Sequence, residues 1–289
     1  MVCLQNDFIK VWIKPKGAEL KSLVNKKTGV EYLWDANPRY WGKSSPVLFP
    51  IVGALKDNTY AFDGQTYDLP RHGFARDMMF TVESKSETQA IFLLKSDVET
   101  QKVYPFEFEF RLIYTVERNK LTTTYEVKNV GAGEMYFSVG GHPAFAVPLQ
   151  PEHLYTDYYL EFNFDSDPRK WLLNEAGLLN GEQQAVFLDR GKLPLTKELF
   201  KDDALVFKGL GSDQIAIRNQ KNETALLFNF KDFPFFGIWA AKDAPFVCLE
   251  PWCGVADSVD HDQNLKNKEG INKLGAGESF ERAWSVEVS

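Results

Sequence analysis

A chain of 289 residues, 44% hydrophobic and 14% aromatic with 23 Phe and 7 Trp, has ample material for a large packed core. Its formal charge of -7 and pI near 5.3 argue against a nucleic-acid backbone or an anionic membrane as main partner, since both reward a clustered basic face. A small neutral ligand suits it better, and net charge leaves room for a local basic pocket.

The start, MVCLQNDFIKVWIKPKG, lacks the pattern of a signal peptide, and no apolar run approaches the roughly 20 residues that span a bilayer. Cys3, Cys248 and Cys253 are odd in number and lack metal-site spacing, which fits reduced, structural thiols. The expectation is a soluble, cytoplasmic protein.

Taken in chain order, alternation dominates. AIFLLKS (90–96) reads as a strand. From Phe106 to Phe110 apolar and charged residues take turns, the pattern breaks at Arg118-Asn119-Lys120, and a β-branched and aromatic run resumes from Leu121 to Val127, which predicts a hairpin. LPLTKELFKDDALVF has room for a short helical turn near Thr196 to Phe200, and no segment sustains the helical period for three turns. DQIAIRNQKNETALLFNF predicts a second hairpin around Lys221-Asn222. FFGIWAA, APFVCLEP and the terminal SFERAWSVEVS supply further strands. The class is all-β, with two large antiparallel sheets packed face to face. No linker, charge block or repeat divides the chain, so 1–289 reads as a single domain. An aromatic-rich edge strand would support a homodimer.

Three polar islands interrupt the apolar pattern: LPRHGFARD around His72, VGGHPAF around His142 and CLEPWCG around Glu250. Each joins an ionisable side chain to Gly or Pro at a strand end, where a rigid sheet can present it to a ligand. A lone histidine is more often a satisfied core residue. At His142, however, Gly140 and Gly141 remove side chains and Pro143 removes a ladder donor, a costly arrangement if the strand merely paired. His72 is a turn residue or, with Arg71 and Arg76 beside it, part of an anion or hydroxyl site. Glu250 sits in an apolar run, so it is either exposed at an edge or a buried carboxylate that implies donors or a task. Two histidines and one carboxylate meeting in a cleft make a general acid/base set.

Other candidates are weaker. DHDQN (260–264) and FDSDP (164–168) lack the Gly and distal Glu of an EF-hand and read as solvated loops. No Gly-x-Ser-x-Gly elbow supports a serine hydrolase. His153 and His261 lie in polar loops and are expected to be exposed. Asp202 and Asp203 are a turn signal or a pair of hydroxyl acceptors. Trp252, Phe74 and Trp239 stand close enough to the islands to stack on the apolar face of a ligand, with core filling the stronger reading for each. A glycoside hydrolase needs two carboxylates, and only Asp203 offers a second.

These segments carry a resemblance. SPVLFPIVGALKDNTYAFDGQTYDLPRHGFARD, GGHPAF, LEPWCGVADS and the closing EGINKLGAGESFERAWSVEV occur in family order, so the chain resembles the aldose 1-epimerase (galactose mutarotase-like) family, most closely its LacX-type bacterial branch. The resemblance covers nearly the whole chain. It implies a supersandwich β-fold, a carbohydrate cleft on one sheet, and no metal or organic cofactor. It also implies that His142 is the general acid toward the ring oxygen and Glu250 the general base toward the anomeric hydroxyl. His72 then helps hold the ring oxygen, Arg76 lies near the sugar and Asp203 accepts from a sugar hydroxyl. The branch usually carries an arginine after FPIVG, where this chain has Ala54, with Lys56 two residues on. HGFAR is shared with hexose-6-phosphate epimerases, for which Arg71, Arg76, Lys56 and Lys43 would form a phosphate pocket. A non-catalytic sugar sensor on the same scaffold is the other alternative. The expected geometry places His142 and Glu250 on opposite sides of one sugar-sized cleft, with Glu250 ionised and the His142 pKa raised by a carboxylate.

Overall fold

A computed structural model describes residues 1–289. Every predicted strand is present. The first hairpin joins Phe108–Glu117 to Lys120–Asn129 across Arg118-Asn119, with Arg118 in the left-handed region at φ 53°. The pleat sends alternate side chains to opposite faces. Thus Phe108, Phe110, Leu112, Tyr114 and Val116 are buried with Leu121, Tyr125 and Val127 of the partner strand, while the charged residues between them face outward. The second predicted hairpin pairs Gln214–Asn219 with Leu226–Asn229.

The ladders build two large antiparallel sheets. The nine-stranded one runs Lys192–Pro194, Tyr158–Phe162, Gln214–Asn219, Leu226–Asn229, Ser279–Val288, Lys120–Asn129, Phe108–Glu117, Gln89–Lys95, Thr81–Lys85. The other has eight strands, ordered Leu179–Ala185, Arg169–Leu173, Leu205–Lys208, Phe235–Trp239, Phe246–Cys253, Val139–Gly141, Val47–Leu48, with Ala144–Ala146 also pairing Phe246–Cys253. Aromatic rings fill the space between the two. Phe145 of the eight-stranded sheet meets Phe228 of the other at a ring-centroid distance of 5.9 Å, and Phe236 meets Phe230, just past the end of Leu226–Asn229, at 4.1 Å. The principal buried cluster contains 71 residues, from Val2 to Val288. A three-stranded sheet of Val2–Gln5, Ile9–Lys14 and Glu19–Asn25 adds to it.

Helix is scarce. The expected turn near Thr196 to Phe200 is a 3₁₀ turn at Lys197–Phe200. One α-helical segment, Val98–Val103, was not foreseen. It is started by a capping box in which Asp97 accepts from the Thr100 N–H and the Thr100 hydroxyl accepts from the Asp97 N–H. No helix is long and apolar enough to cross a membrane.

Candidate active site

The strand Phe246–Cys253 is buried at every residue, because strands cover both edges and side chains cover both faces. On its neighbour, pairing is interrupted at His142 and Pro143. Gly140 opposes Trp252 and Ala144 opposes Cys248, so one register holds on both sides of the break. That register puts His142 directly opposite Glu250. Opposed residues share a face with Cβ atoms about 4.5–5.5 Å apart, and His142 Nε2 lies 3.2 Å from Glu250 Oε2. The two are therefore in contact on one wall of the cleft, not on opposite sides of it.

Two glycines make room for the third member of this row. Gly140 stands beside Trp252 and Gly237 beside Glu250, and a Cβ on either would come within 2.7 or 2.4 Å of the Trp252 ring. The indole lies across both and shares the face of Glu250.

His72 arrives from a turn. Its backbone is left-handed at φ 71°, an uncommon state for a side chain with a Cβ. Gly53 fixes it twice: the His72 N–H donates to the Gly53 carbonyl at 2.9 Å, and Nδ1 accepts from the Gly53 N–H at 3.1 Å. An accepting Nδ1 carries no proton, so the ring proton sits on Nε2, leaving His72 a neutral donor. Its ring is perpendicular to that of His142, with centroids 5.8 Å apart.

These groups line one open cleft of about 200 Å³. His72, Arg71, Arg76, His142, Asp203, Glu250, Trp239 and Trp252 all line it. Arg71 Nη2 is 3.7 Å from Asp203 Oδ1, and Arg76 Nη2 donates to the Arg71 carbonyl at 2.8 Å. Arg76 Nε, His142 Nδ1 and Glu250 Oε2 are buried without hydrogen-bond partners. The 3.2 Å His142–Glu250 contact is thus not aligned as a hydrogen bond. Buried polar atoms of this kind normally have partners, and a polar ligand would supply them.

Burial governs the ionisation of the pair. It pushes Glu250 well above the usual carboxylate value, with Asp203 adding to the rise and Arg71 and Trp252 opposing it. It lowers His142 to about 3, reinforced by Arg71 and Arg76. The expected rise for His142 and the free carboxylate at Glu250 are corrected on this point, since desolvation outweighs the attraction between them. His72 is also held well below 6.5, by burial first and then by His142, Arg71 and Arg76. Burial thus disfavours charge on either member of the pair.

Several expectations do not hold. Lys56 is outside the cleft, with Nζ donating to the His261 carbonyl at 3.2 Å. Phe74 packs on Phe49, Tyr104 and Phe108 in the core. Lys43 pairs with Asp77 at 2.7 Å and does not line the cleft. His153 is buried, its Nδ1 3.0 Å from the Tyr158 hydroxyl, and His261 is largely covered, 3.4 Å from Asp257. Among residues the sequence did not flag, Trp41 matters most: its ring lies 4.8 Å from that of His142 at 31°, and 5.5 Å from that of Trp239. Leu173, Ala204, Val206 and Val255 add apolar wall.

Comparison with known proteins supports the family and the all-β fold. A family model described as aldose 1-epimerase matches residues 1–282. The chromosomal LacX protein of Lactococcus lactis subsp. lactis is 33% identical, covering 99% of this chain and 98% of its own. The crystal structure of a galactose mutarotase related enzyme from Lactobacillus acidophilus superposes with a TM-score of 0.95 at 38% identity, over 100% of this chain and 97% of the other. A galactose mutarotase-like protein from Lactobacillus casei gives 0.93 at 29% identity, over the full length of both. With Glu250, Trp239 and Trp252 on the eight-stranded sheet, His142 in the break between two of its strands and His72 on a turn, the chain belongs, by these matches, to the aldose 1-epimerase family.

Proposed function

We propose that the protein interconverts the α and β anomers of a hexose, with His142 and Glu250 as the proton-transfer pair. The observation that carries this reading is their cross-strand contact at 3.2 Å in one open cleft, each with a buried polar atom lacking a partner. In the productive form the shared proton is on His142 and Glu250 is a carboxylate. Glu250 takes the proton of the C1 hydroxyl, His142 gives its proton to the ring oxygen, and the C1–O5 bond breaks to leave an aldehyde. The pair then reads protonated Glu250 and neutral His142, the form that burial favours. Rotation about C1–C2 and reversal of both transfers close the ring on the other face and restore the start. The pair stays net neutral at each stage, which suits a dry site.

The Nε2–H of His72 is a donor for a sugar oxygen, and Trp41, Trp239 and Trp252 offer faces for the apolar side of the ring. We infer one domain, because a single buried cluster links residues near both ends. Polarimetry on freshly dissolved α-glucose and α-galactose tests the reading. Each properly placed acid or base contributes typically 10²- to 10⁴-fold, so His142→Asn and Glu250→Gln should each slow anomer exchange by about that much.

A specific observation favours a second reading, a hexose bearing a phosphate. Arg71 and Arg76 both line the cleft near Asp203, and the buried Arg76 Nε, 3.8 Å from Asp77 outside the cleft, has no hydrogen-bond partner. With the His142–Glu250 pair neutral, the wall carries an excess positive charge despite Ala54. Calorimetry with glucose and glucose 6-phosphate in parallel decides between them.

A further inference from the structure

The proton-transfer pair has a third neighbour that the chemistry above does not use. Cys248 precedes Glu250 by two residues on the strand Phe246–Cys253, so both side chains leave the same face. A ring nitrogen of His142, the Cys248 sulfur and a Glu250 oxygen all lie within 4.8 Å of one another, and all three residues are buried. Cys248 is a free thiol outside the residues lining the cleft.

This geometry is near that of a metal site. Zinc bonds of about 2.0–2.1 Å to N and O and about 2.3 Å to S give tetrahedral ligand-to-ligand edges of about 3.4–3.6 Å. The His142–Glu250 edge, at 3.2 Å, is already that length. The remaining edges are at most 4.8 Å. The donor set selects as well. Thiolate with imidazole favours zinc-like cations over magnesium or calcium, which prefer oxygen. Charge also balances: a carboxylate, a thiolate and a neutral imidazole around a dication sum to zero, so burial costs little.

We propose that His142, Cys248 and Glu250 form an inhibitory binding site for a soft divalent cation, zinc above all. The cation enters through the cleft, forms bonds to N, S and O, and displaces the protons of the thiol and of the shared pair, which leave to water. Its fourth position faces the cleft, where water remains bound. The acid and the base are then both occupied, and a sugar competes with the metal. The inhibitory part rests on the anomer-exchange reading; the binding part does not.

The test uses the full chain, reduced, with cobalt(II) as a spectroscopic probe and zinc as the inhibitor. Expected is one cobalt per chain with a thiolate-to-cobalt charge-transfer absorption in the near ultraviolet, lost on adding zinc and absent in Cys248→Ser and Cys248→Ala. Two variants guard against one misfolding, which circular dichroism reports. Both should exchange anomers at the wild-type rate without metal, and should need roughly tenfold or more zinc for half inhibition, in line with the 10- to 100-fold that metal-site changes typically cost. Zinc should raise the apparent KM and leave kcat unchanged, and magnesium should do nothing. The proposal is overturned by no charge-transfer band in the wild type, by an equal band in both Cys248 variants, or by equal zinc sensitivity in all three proteins. A cobalt band that depends on Cys248 in a protein without anomer exchange would uphold the site and remove the enzymatic reading alone.

Discussion

A buried ion pair stands next to the cleft residues Val255 and Ala256, and breaking it yields a sharp prediction. Asp257 Oδ1 is 2.6 Å from Lys268 Nζ, and both side chains are fully shielded from solvent. Asp257 Oδ2 also accepts from the Lys56 N–H at 3.0 Å and lies 3.4 Å from His261 Nδ1. The same residue's backbone N–H donates to the Ala54 carbonyl and its carbonyl accepts from the Leu179 N–H, both at 2.9 Å. Asp257 thus ties three loops that line or back the site. Asp257→Ala strands a buried ammonium, which costs about 3–5 kcal/mol, plus about 1 kcal/mol for the hydrogen bond to Lys56. At roughly 2–4 °C per kcal/mol for a chain of this size, the melting temperature should fall by about 10 °C or more. Lys268→Met alone should also destabilise, but the double variant Asp257→Ala/Lys268→Met should recover much of the loss, because the buried charge is gone. Urea unfolding of the four proteins, followed by circular dichroism, completes the double-mutant cycle. A loss below about 1 kcal/mol for Asp257→Ala, or strictly additive losses in the double variant, would refute the argument that charge burial dominates there.

Three further outcomes follow from the geometry. Gly237→Ala puts a methyl group 2.4 Å from the Trp252 ring; overpacking of this kind costs about 1–3 kcal/mol, and the displaced indole should weaken sugar binding measured by calorimetry. Arg76→Ala should weaken a hexose 6-phosphate by about 10- to 150-fold, from about 1.5–3 kcal/mol for a hydrogen bond to a charged group, and a free hexose far less; equal losses for both would dismiss the phosphate reading. His72 binds protons in the unfolded chain near pH 6.5 but not in the fold, where its pKa is well below that. Its contribution to stability is therefore present above about pH 6.5 and lost as pH falls, at up to about 1.4 kcal/mol per pH unit. His72→Gln should flatten the acid side of the stability curve, and an unchanged slope would show that the ring is not held neutral.

Much of this was readable in the residues. Hairpins and sheet strands announced themselves because one face is buried and the other wet, as from Phe108 to Val116. His72, His142 and Glu250 stood out because each breaks an apolar pattern with an ionisable group beside Gly or Pro. What the pattern could not give was distance. The contact between His142 and Glu250 arises from a register shared across a broken strand, a tertiary fact with no local trace. Trp41 lies in a polar loop segment, RYWGKSS, and only folding stacks it on His142. Lys56 and Phe74 failed for the converse reason: nearness in sequence to a motif does not make a side chain point into the cleft, and these two turn to the His261 carbonyl and to the core. His153 and His261 looked solvated because their neighbours are polar, yet a tyrosine hydroxyl and Asp257 cover them. Val98–Val103 escaped because its only helical signal is the pair Asp97 and Thr100.

We propose that residues 142 and 250 exchange protons with one bound hexose. The most direct test is the rate of α-glucose and α-galactose mutarotation, followed by polarimetry for the wild type, His142→Asn and Glu250→Gln at equal concentrations of folded protein. A fast wild type with each variant slowed by about 10²-fold or more is the predicted result. Wild-type rates in both variants, for every hexose the protein accelerates, would contradict it.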